Sequence, residues 1–266
     1  MTCVQLFCSS PFAVNLSSEK HITTNVPSVY SHLPYVLNLA GHAKTNSIAW
    51  TGNMQVDDYV TKCTQRISDE LALIGSLGCT KGCGCVLHIG SIGNNPQRQL
   101  GLKSVAASIN RIAFRDQDSS QLLLETMVGN KGVLGCSFEE LRVVYEELET
   151  NVKPRVGFCI DTCHVFAQGL YDLSDCLDVD QMFAHFDAML PRESLKLIHL
   201  NDSKECMGSH KDHHANITTG HIWGKQDAGL VHLLKQAKQR NLGVVLETEE
   251  NDWGRLQELL IKSKLL

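Results

Sequence analysis

A chain of 266 residues with 43% apolar and 20% charged residues has the composition of an ordinary globule, and one α/β barrel commonly fills roughly 250 residues as a single domain. No apolar stretch is long enough to span a bilayer, and "MTCVQLFCSS" lacks the basic residue that precedes a secretory signal, so a protein that is neither membrane-inserted nor secreted is expected. The formal charge of −5 argues against a bare nucleic-acid binder, and 12 histidines and 11 cysteines direct attention to where those residues sit.

Short β-type runs alternate with helical patterns along the chain. "VQLFCSS" and "NVPSVYSH" come first, followed by a helical pattern over about 57–77 that Gly75 and Gly78 stop. "CVLHIG" precedes a helix over about 100–115, and "QLLLET" one over about 137–150, where Ser137 and Glu140 form a capping box before "LRVVYEEL". "RVGFCID", "LKLIHLND" and "GVVLETEE" follow, with helices over about 177–190, 226–240 and 252–264. No linker, repeat or low-complexity segment divides the chain, so residues 1–266 read as one domain. Strands apolar on both faces and covered by helices imply a parallel sheet, either a TIM (β/α)8-type barrel or a doubly wound sheet. The cysteines are scattered and often set in apolar runs, as Cys159 and Cys163 are, which predicts free thiols packed as small hydrophobes. "CTKGCGC" has no second cysteine pair to complete a thiolate site and reads as a loop leading into the strand before His88.

The polar residues at the ends of these runs carry the chemistry. His32, His88, Glu125, Asp161, His199 and Glu247 each close a run, and the carboxyl ends of barrel strands share one rim. A strand-end histidine is by itself commonly structural, and a lone glutamate there pairs as readily with arginine. Recurrence of ligand types on one predicted rim is what independent structural roles would not produce. Crowded carboxylates repel unless a cation neutralises them, and a mixture of imidazole and carboxylate suits Zn²⁺, with Mn²⁺ or Fe²⁺ as competitors. His164 lies three residues after Asp161, and in "HKDHH" the alternation of an extended segment sends Asp212 and His214 to one side and His213 to the other. So many ligands exceed what one ion takes, and a cluster of two or three ions is expected.

"RVGFCIDTCHVFAQGLYD", "LIHLNDSK", "GSHKDHH" and "VVLET" resemble, in order and spacing, the signatures of the endonuclease IV family of apurinic/apyrimidinic endonucleases, including divergent members from large DNA viruses. The resemblance implies a zinc-dependent hydrolase that cuts the DNA backbone 5′ to abasic sites and leaves a 3′-hydroxyl in base excision repair. It implies three zinc ions. Glu125 would bridge two of them, one held also by His32 and His88, the other by Asp161, His199 and Glu247; His164, Asp212 and His214 would hold the third. Glu125 and Glu247 are the residues expected at the chemistry, Tyr35 matches the family's intruding tyrosine, and double-stranded DNA containing abasic sites is the expected partner of a monomer working wherever DNA is repaired, in nucleus, cytoplasm or a virus-associated setting. Three zinc ions would turn the formal −5 into a small positive charge and make DNA binding electrostatically permissible.

The chain also departs from the family pattern. "VQLFCSS" aligns with the family's second strand, so the first β/α unit of the barrel is expected to be lacking or differently recruited. "SSPFAVNLSS" has no arginine or glutamine comparable to the family's DNA-penetrating loop, and "DHHANITTGH" has His213 and Thr219 where the family has arginine and glutamate. Two alternatives stay open: a metal-dependent sugar isomerase or epimerase on the same barrel, and a DNA-binding protein that keeps its zinc for stability alone. Tyr35 in "LPYVLNL" could equally be a core residue.

Overall fold

The computed structural model describes residues 3–8, 11–12, 26–40, 56–115, 119–130, 132–248 and 251–265. The chain divides into two compact units, one of Thr2–Glu125 and Lys131–Phe158, the other of Thr126–Asn130 and Cys159–Leu266.

In the first unit, strands β1 (Cys3–Leu6), β2 (Ser28–His32), β3 (Gly82–Leu87) and β4 (Gln121–Glu125) are hydrogen-bonded in that order. All are parallel, with Val4 level with Val29, Val29 with Cys83, and Cys85 with Leu122. Helix α1 (Val56–Gly75) sets a stripe of Tyr59, Cys63, Ile67, Leu71 and Ile74 at helical spacing, every member buried. Helix α2 (Arg98–Ile109) adds Leu102, Val105 and Ile109. Both faces of the central strands are covered, so β2 is buried along its whole length. The helix expected over 100–115 stops at Ile109, and part of the expected "CTKGCGC" loop is strand, Cys83 and Cys85 being buried β3 residues.

Helix α3 (Phe138–Glu146) starts at Ser137, whose hydroxyl accepts the Glu140 N–H. The reciprocal half of the capping box differs from expectation. The Glu140 carboxylate accepts the N–H groups of Gly135 and Cys136 instead, and Arg98 holds it there.

Strand β5 (Val156–Asp161) begins in the first unit and ends in the second. The second unit continues with α4 (Thr162–Ala167), a short helix not foreseen from the periodicity, α5 (Cys176–Met189) and β6 (Leu195–His199). A two-stranded antiparallel ribbon follows, β7 (Asp202–Ser203) with β8 (His214–Ala215), then α6 (Ala228–Gln239), β9 (Gly243–Val245) and α7 (Asn251–Lys262). Strand order is β5, β6, β9, and β6 and β9 are parallel. The expected β runs therefore all appear as strands, and none of the described helices is long and apolar enough to cross a membrane.

The ribbon and the turns after it are organised by one acid. Asp202 is fully buried, and its carboxylate accepts the N–H groups of Ser203 at 2.8 Å, Gly220 at 3.0 Å, Ile222 at 2.9 Å and Trp223 at 3.3 Å. Gly220 must be glycine, because a Cβ there would lie 2.5 Å from Asp202 Oδ1 and 2.4 Å from the Ser203 carbonyl. Removing a buried acceptor strands its donors without partners. Asp202→Ala should lower the unfolding free energy by about 3 kcal/mol in urea titration, with Asp202→Asn retaining part of it.

Candidate metal centre

Strand register brings the ligand types of the first unit to one face. His32 is level with Val86, and Leu87 with Leu124, so continuing by one residue sets His88 level with Glu125. Side chains two apart on a strand share a face, hence His32, His88 and Glu125 all point the same way. Their side chains meet: His32 Nε2 lies 3.4 Å and His88 Nε2 3.0 Å from Glu125 Oε2. The loops that carry the histidines are tied together by Asn38, whose amide donates to the Ser91 carbonyl at 2.8 Å and accepts the Ser91 and Ala40 N–H groups at 3.1 Å. Gly90 passes so close to Asn38 that a Cβ would lie 2.2 Å from its Oδ1.

Two groups form in the second unit. Asp161, His199 and Glu247 each offer a ligand atom within 4.8 Å of the others. His199 Nδ1 is 3.3 Å from Glu247 Oε2 and 3.9 Å from Asp161 Oδ2. His199 is level with Val245, so Glu247, two residues on, continues the face that His199 occupies. In the other group Asp212 takes His164 Nε2 on Oδ2 at 3.1 Å and His214 Nε2 on Oδ1 at 3.0 Å. His213 points elsewhere, with Nδ1 2.8 Å from Glu205 Oε1.

The donor chemistry fits a divalent cation. His32 Nδ1 donates to the Leu33 carbonyl and His164 Nδ1 to the Thr126 carbonyl, both at 2.7 Å. A neutral ring so fixed presents a bare Nε2 to a carboxylate oxygen, and two lone pairs at that distance repel unless a cation lies between them. A proton satisfies one such pair; a metal ion satisfies the whole group. Tetrahedral zinc with bonds of about 2.1 Å separates its ligand atoms by about 3.4 Å, and the N···O distances of the three groups fall around that value.

The carboxylate and imidazoles of the Asp212 group act strongly on one another's charge. Burial works to raise Asp212, but hydrogen bonds and charge from His164 and His214 outweigh it and hold the carboxyl well below the usual range. Burial lowers His214, and the charge of Asp161 and the Asp212 hydrogen bond reverse that, leaving it raised. Cys163 lies within ligand distance of Asp161 and His214, yet burial and then the charge of Asp161 push its thiol up. It sits there as a small neutral side chain, and all 11 cysteines are free thiols.

Several supporting residues escaped the sequence reading. Asn201 is fully buried, and its amide donates to Asp161 Oδ2 at 2.7 Å and Glu247 Oε2 at 3.0 Å while its Oδ1 accepts the Glu247 N–H at 3.2 Å. Thr162 Oγ1 donates to the His199 and Asn201 carbonyls and accepts the Asn201 N–H. Asp161 caps α4 by accepting the His164 N–H at 2.9 Å, so the ligand pair is set by one helix start. The only local signal was a polar residue directly after the apolar run "LIHL". Tyr35 is 43% exposed and so is no core residue; its ring meets His32 edge to face and His88 at a tilt, with centroids 4.9 and 5.2 Å away.

Known proteins resemble this chain in sequence and fold. Residues 35–263 match the family described as a xylose isomerase-like TIM barrel. Over 225 residues the chain is 32% identical to a protein named probable endonuclease 4 from Enterococcus faecalis, covering 84% of this chain and 67% of that one. The protein of the same name from Methanosphaera stadtmanae is 31% identical over 239 residues, 89% of this chain and 76% of its own. Endonuclease IV from Thermus thermophilus, a crystal structure, aligns with a TM-score of 0.67 over 95% of this chain and 86% of that one at 21% identity, a likeness of fold.

Asn201→Ala should remove the donor that Asp161 and Glu247 share and weaken divalent-metal binding about 10- to 100-fold, read with Zn²⁺ as the probe in a competition titration against a chromophoric chelator.

Proposed function

Because the chain belongs to the endonuclease IV family and has its xylose isomerase-like TIM barrel, we propose that it is a zinc-dependent hydrolase that cuts the DNA backbone 5′ to abasic sites and leaves a 3′-hydroxyl, in base excision repair. The observation that carries this reading is the set of three imidazole–carboxylate groups, two of them with a histidine locked by a backbone carbonyl. When bound, zinc supplies an acidified water and neutralises charge at a phosphodiester.

The residues of the chain divide the remaining work. His32, His88 and Glu125 would hold one ion, Asp161, His199 and Glu247 a second, and His164, Asp212 and His214 a third, and the family resemblance implies that Glu125 would serve two of them. Both imidazoles address Oε2 of Glu125, and a carboxylate has the two oxygens that bridging needs. Asn201 orients Asp161 and Glu247 together, and Glu247 faces the reacting phosphate as the more accessible of the two. Tyr35 enters the gap left by the missing base; unstacking there costs least because no base has to be extracted. The family match spans residues of both compact units, which supports one working domain over residues 1–266, acting as a monomer on duplex DNA where DNA is repaired.

A sugar isomerase on this barrel would need carboxylates placed for proton transfer, and the His164–Asp212–His214 group has no part in that chemistry. The test is incision of a duplex carrying a tetrahydrofuran abasic analogue, with ions per chain counted by native mass spectrometry. Cutting that stops with chelator and returns with Zn²⁺ supports the proposal; intact DNA supports an isomerase, and retarded but uncut DNA a non-catalytic binder. Glu125→Gln is expected to reduce cutting by at least about 10³-fold while the circular dichroism spectrum stays native, and an active variant removes the bridging role. Tyr35→Ala should narrow the preference for abasic over intact duplex in competition binding.

A further inference from the structure

The antiparallel ribbon of β7 and β8 has two faces, and the imidazole–carboxylate groups use one of them. His214 turns toward Asp212, so Ala215, the next residue on the strand, faces the other way. Ala215 is paired with Asp202, and the ribbon runs on to Lys204, whose N–H donates to the His213 carbonyl at 2.9 Å. On this second face lies a cavity of about 610 Å³, to which Ala215 contributes together with Lys204, Asn216, Thr219, His221 and Lys225. Its wall is held from behind. Asp202 binds the N–H groups of Gly220, Ile222 and Trp223, the His221 N–H donates to the Ser203 carbonyl at 2.7 Å, and the Gly224 N–H to the Gly220 carbonyl at 3.1 Å.

The charge around the cavity is of one sign. No carboxylate lines it, and Lys204 and Lys225 have no ion-pair partner among the described residues. The acids nearest in sequence are engaged elsewhere, Glu205 with His213 and Lys211, Asp227 with Lys262. In a chain of formal charge −5 this is a local reversal of sign. His221 Nδ1 lies 3.8 Å from the Cys206 sulfur, and an imidazole that accepts the thiol proton there carries its own hydrogen on Nε2 as a third donor.

We infer that this cavity binds the diphosphate group of a small ligand, a free nucleoside diphosphate, without regard to its base. Lysine ammoniums serve phosphoryl oxygens as point charges, and two of them with an imidazole N–H match a compact, multiply charged anion. The volume is that of a small-molecule site, whereas a duplex backbone runs along an open groove. No phenyl, phenol or indole ring lines the cavity, so a base has nothing to stack on and its identity is not read. Because the cavity occupies the face of the ribbon turned from His214, it binds its ligand whether or not the chain cuts DNA.

The test is a titration of the metal-loaded full chain, followed by amide NMR through the signals of Gly220, Gly224 and Lys225, with ADP, GDP, adenosine and an intact duplex as probes. ADP and GDP are expected to shift these signals saturably and with similar affinity, and adenosine to leave them in place. Lys204→Ala and Lys225→Ala should each weaken ADP binding about tenfold, and because both side chains are exposed, each variant should melt at the wild-type temperature. Shifts that persist unchanged in the double alanine variant overturn the proposal, as does a titration that never saturates. Signals that move only beside the metal-ligand residues assign ADP to those groups and overturn it too. A duplex that moves the three signals where ADP does not gives the cavity to a nucleic-acid backbone and removes the small ligand. None of these readings depends on incision, so the nuclease reading stands or falls separately.

Discussion

Acids buried at strand ends face imidazoles here instead of permanently charged partners, and the arrangement of the site follows from that choice. Two half-buried acids elsewhere in the described residues use arginine. Asp187 takes Arg240 on both oxygens at 2.8 Å, and that pairing holds its carboxyl below the usual range. Glu140 takes Arg98 in the same way. A guanidinium closes such a site and leaves nothing to exchange. Histidine differs: once its Nδ1 donates to a carbonyl, the far nitrogen is turned toward the carboxylate and can serve as a metal ligand.

The scaffold makes this arrangement possible by controlling direction. Parallel strands send all their carboxyl ends the same way, and a register that sets His88 level with Glu125 turns sequence separation into proximity. Short local devices then fix the angles. Asp161 is at once the last residue of a strand, the cap of the helix that carries His164 and an acceptor for Asn201. Asp202 grips the backbone on either side of the segment that holds Asp212 and His214, so a ligand group drawn partly from a loop is built on a buried anchor. Such pre-organisation is what keeps metal sites selective and tight.

Thr218 shows the cost of that construction. It is a β-branched residue with φ of 63°, a conformation that normally calls for glycine, and it sits two residues before Gly220 on the turn that Asp202 organises. Strain of this kind persists where surrounding structure over-determines the backbone, and the four N–H groups bound by Asp202 are that structure.

Element order, the strands and most helices were legible in the chain, because apolar periodicity depends on which face of each segment is buried and not on its neighbours. That His32, Glu125, Asp161 and His199 end strands was legible for the same reason. The pairings were not: Asn201 meets Asp161 across 40 residues and Glu247 across 46, and no local pattern encodes a hydrogen bond between such distant positions. The reciprocal half of the Ser137 cap, the antiparallel ribbon beside Asp212 and the exposed ring of Tyr35 likewise came only from packing. Sequence alone determined which residue types stand at the strand ends; tertiary structure decided which of them meet, because distance and orientation are properties of the folded backbone and not of the order of side chains along it.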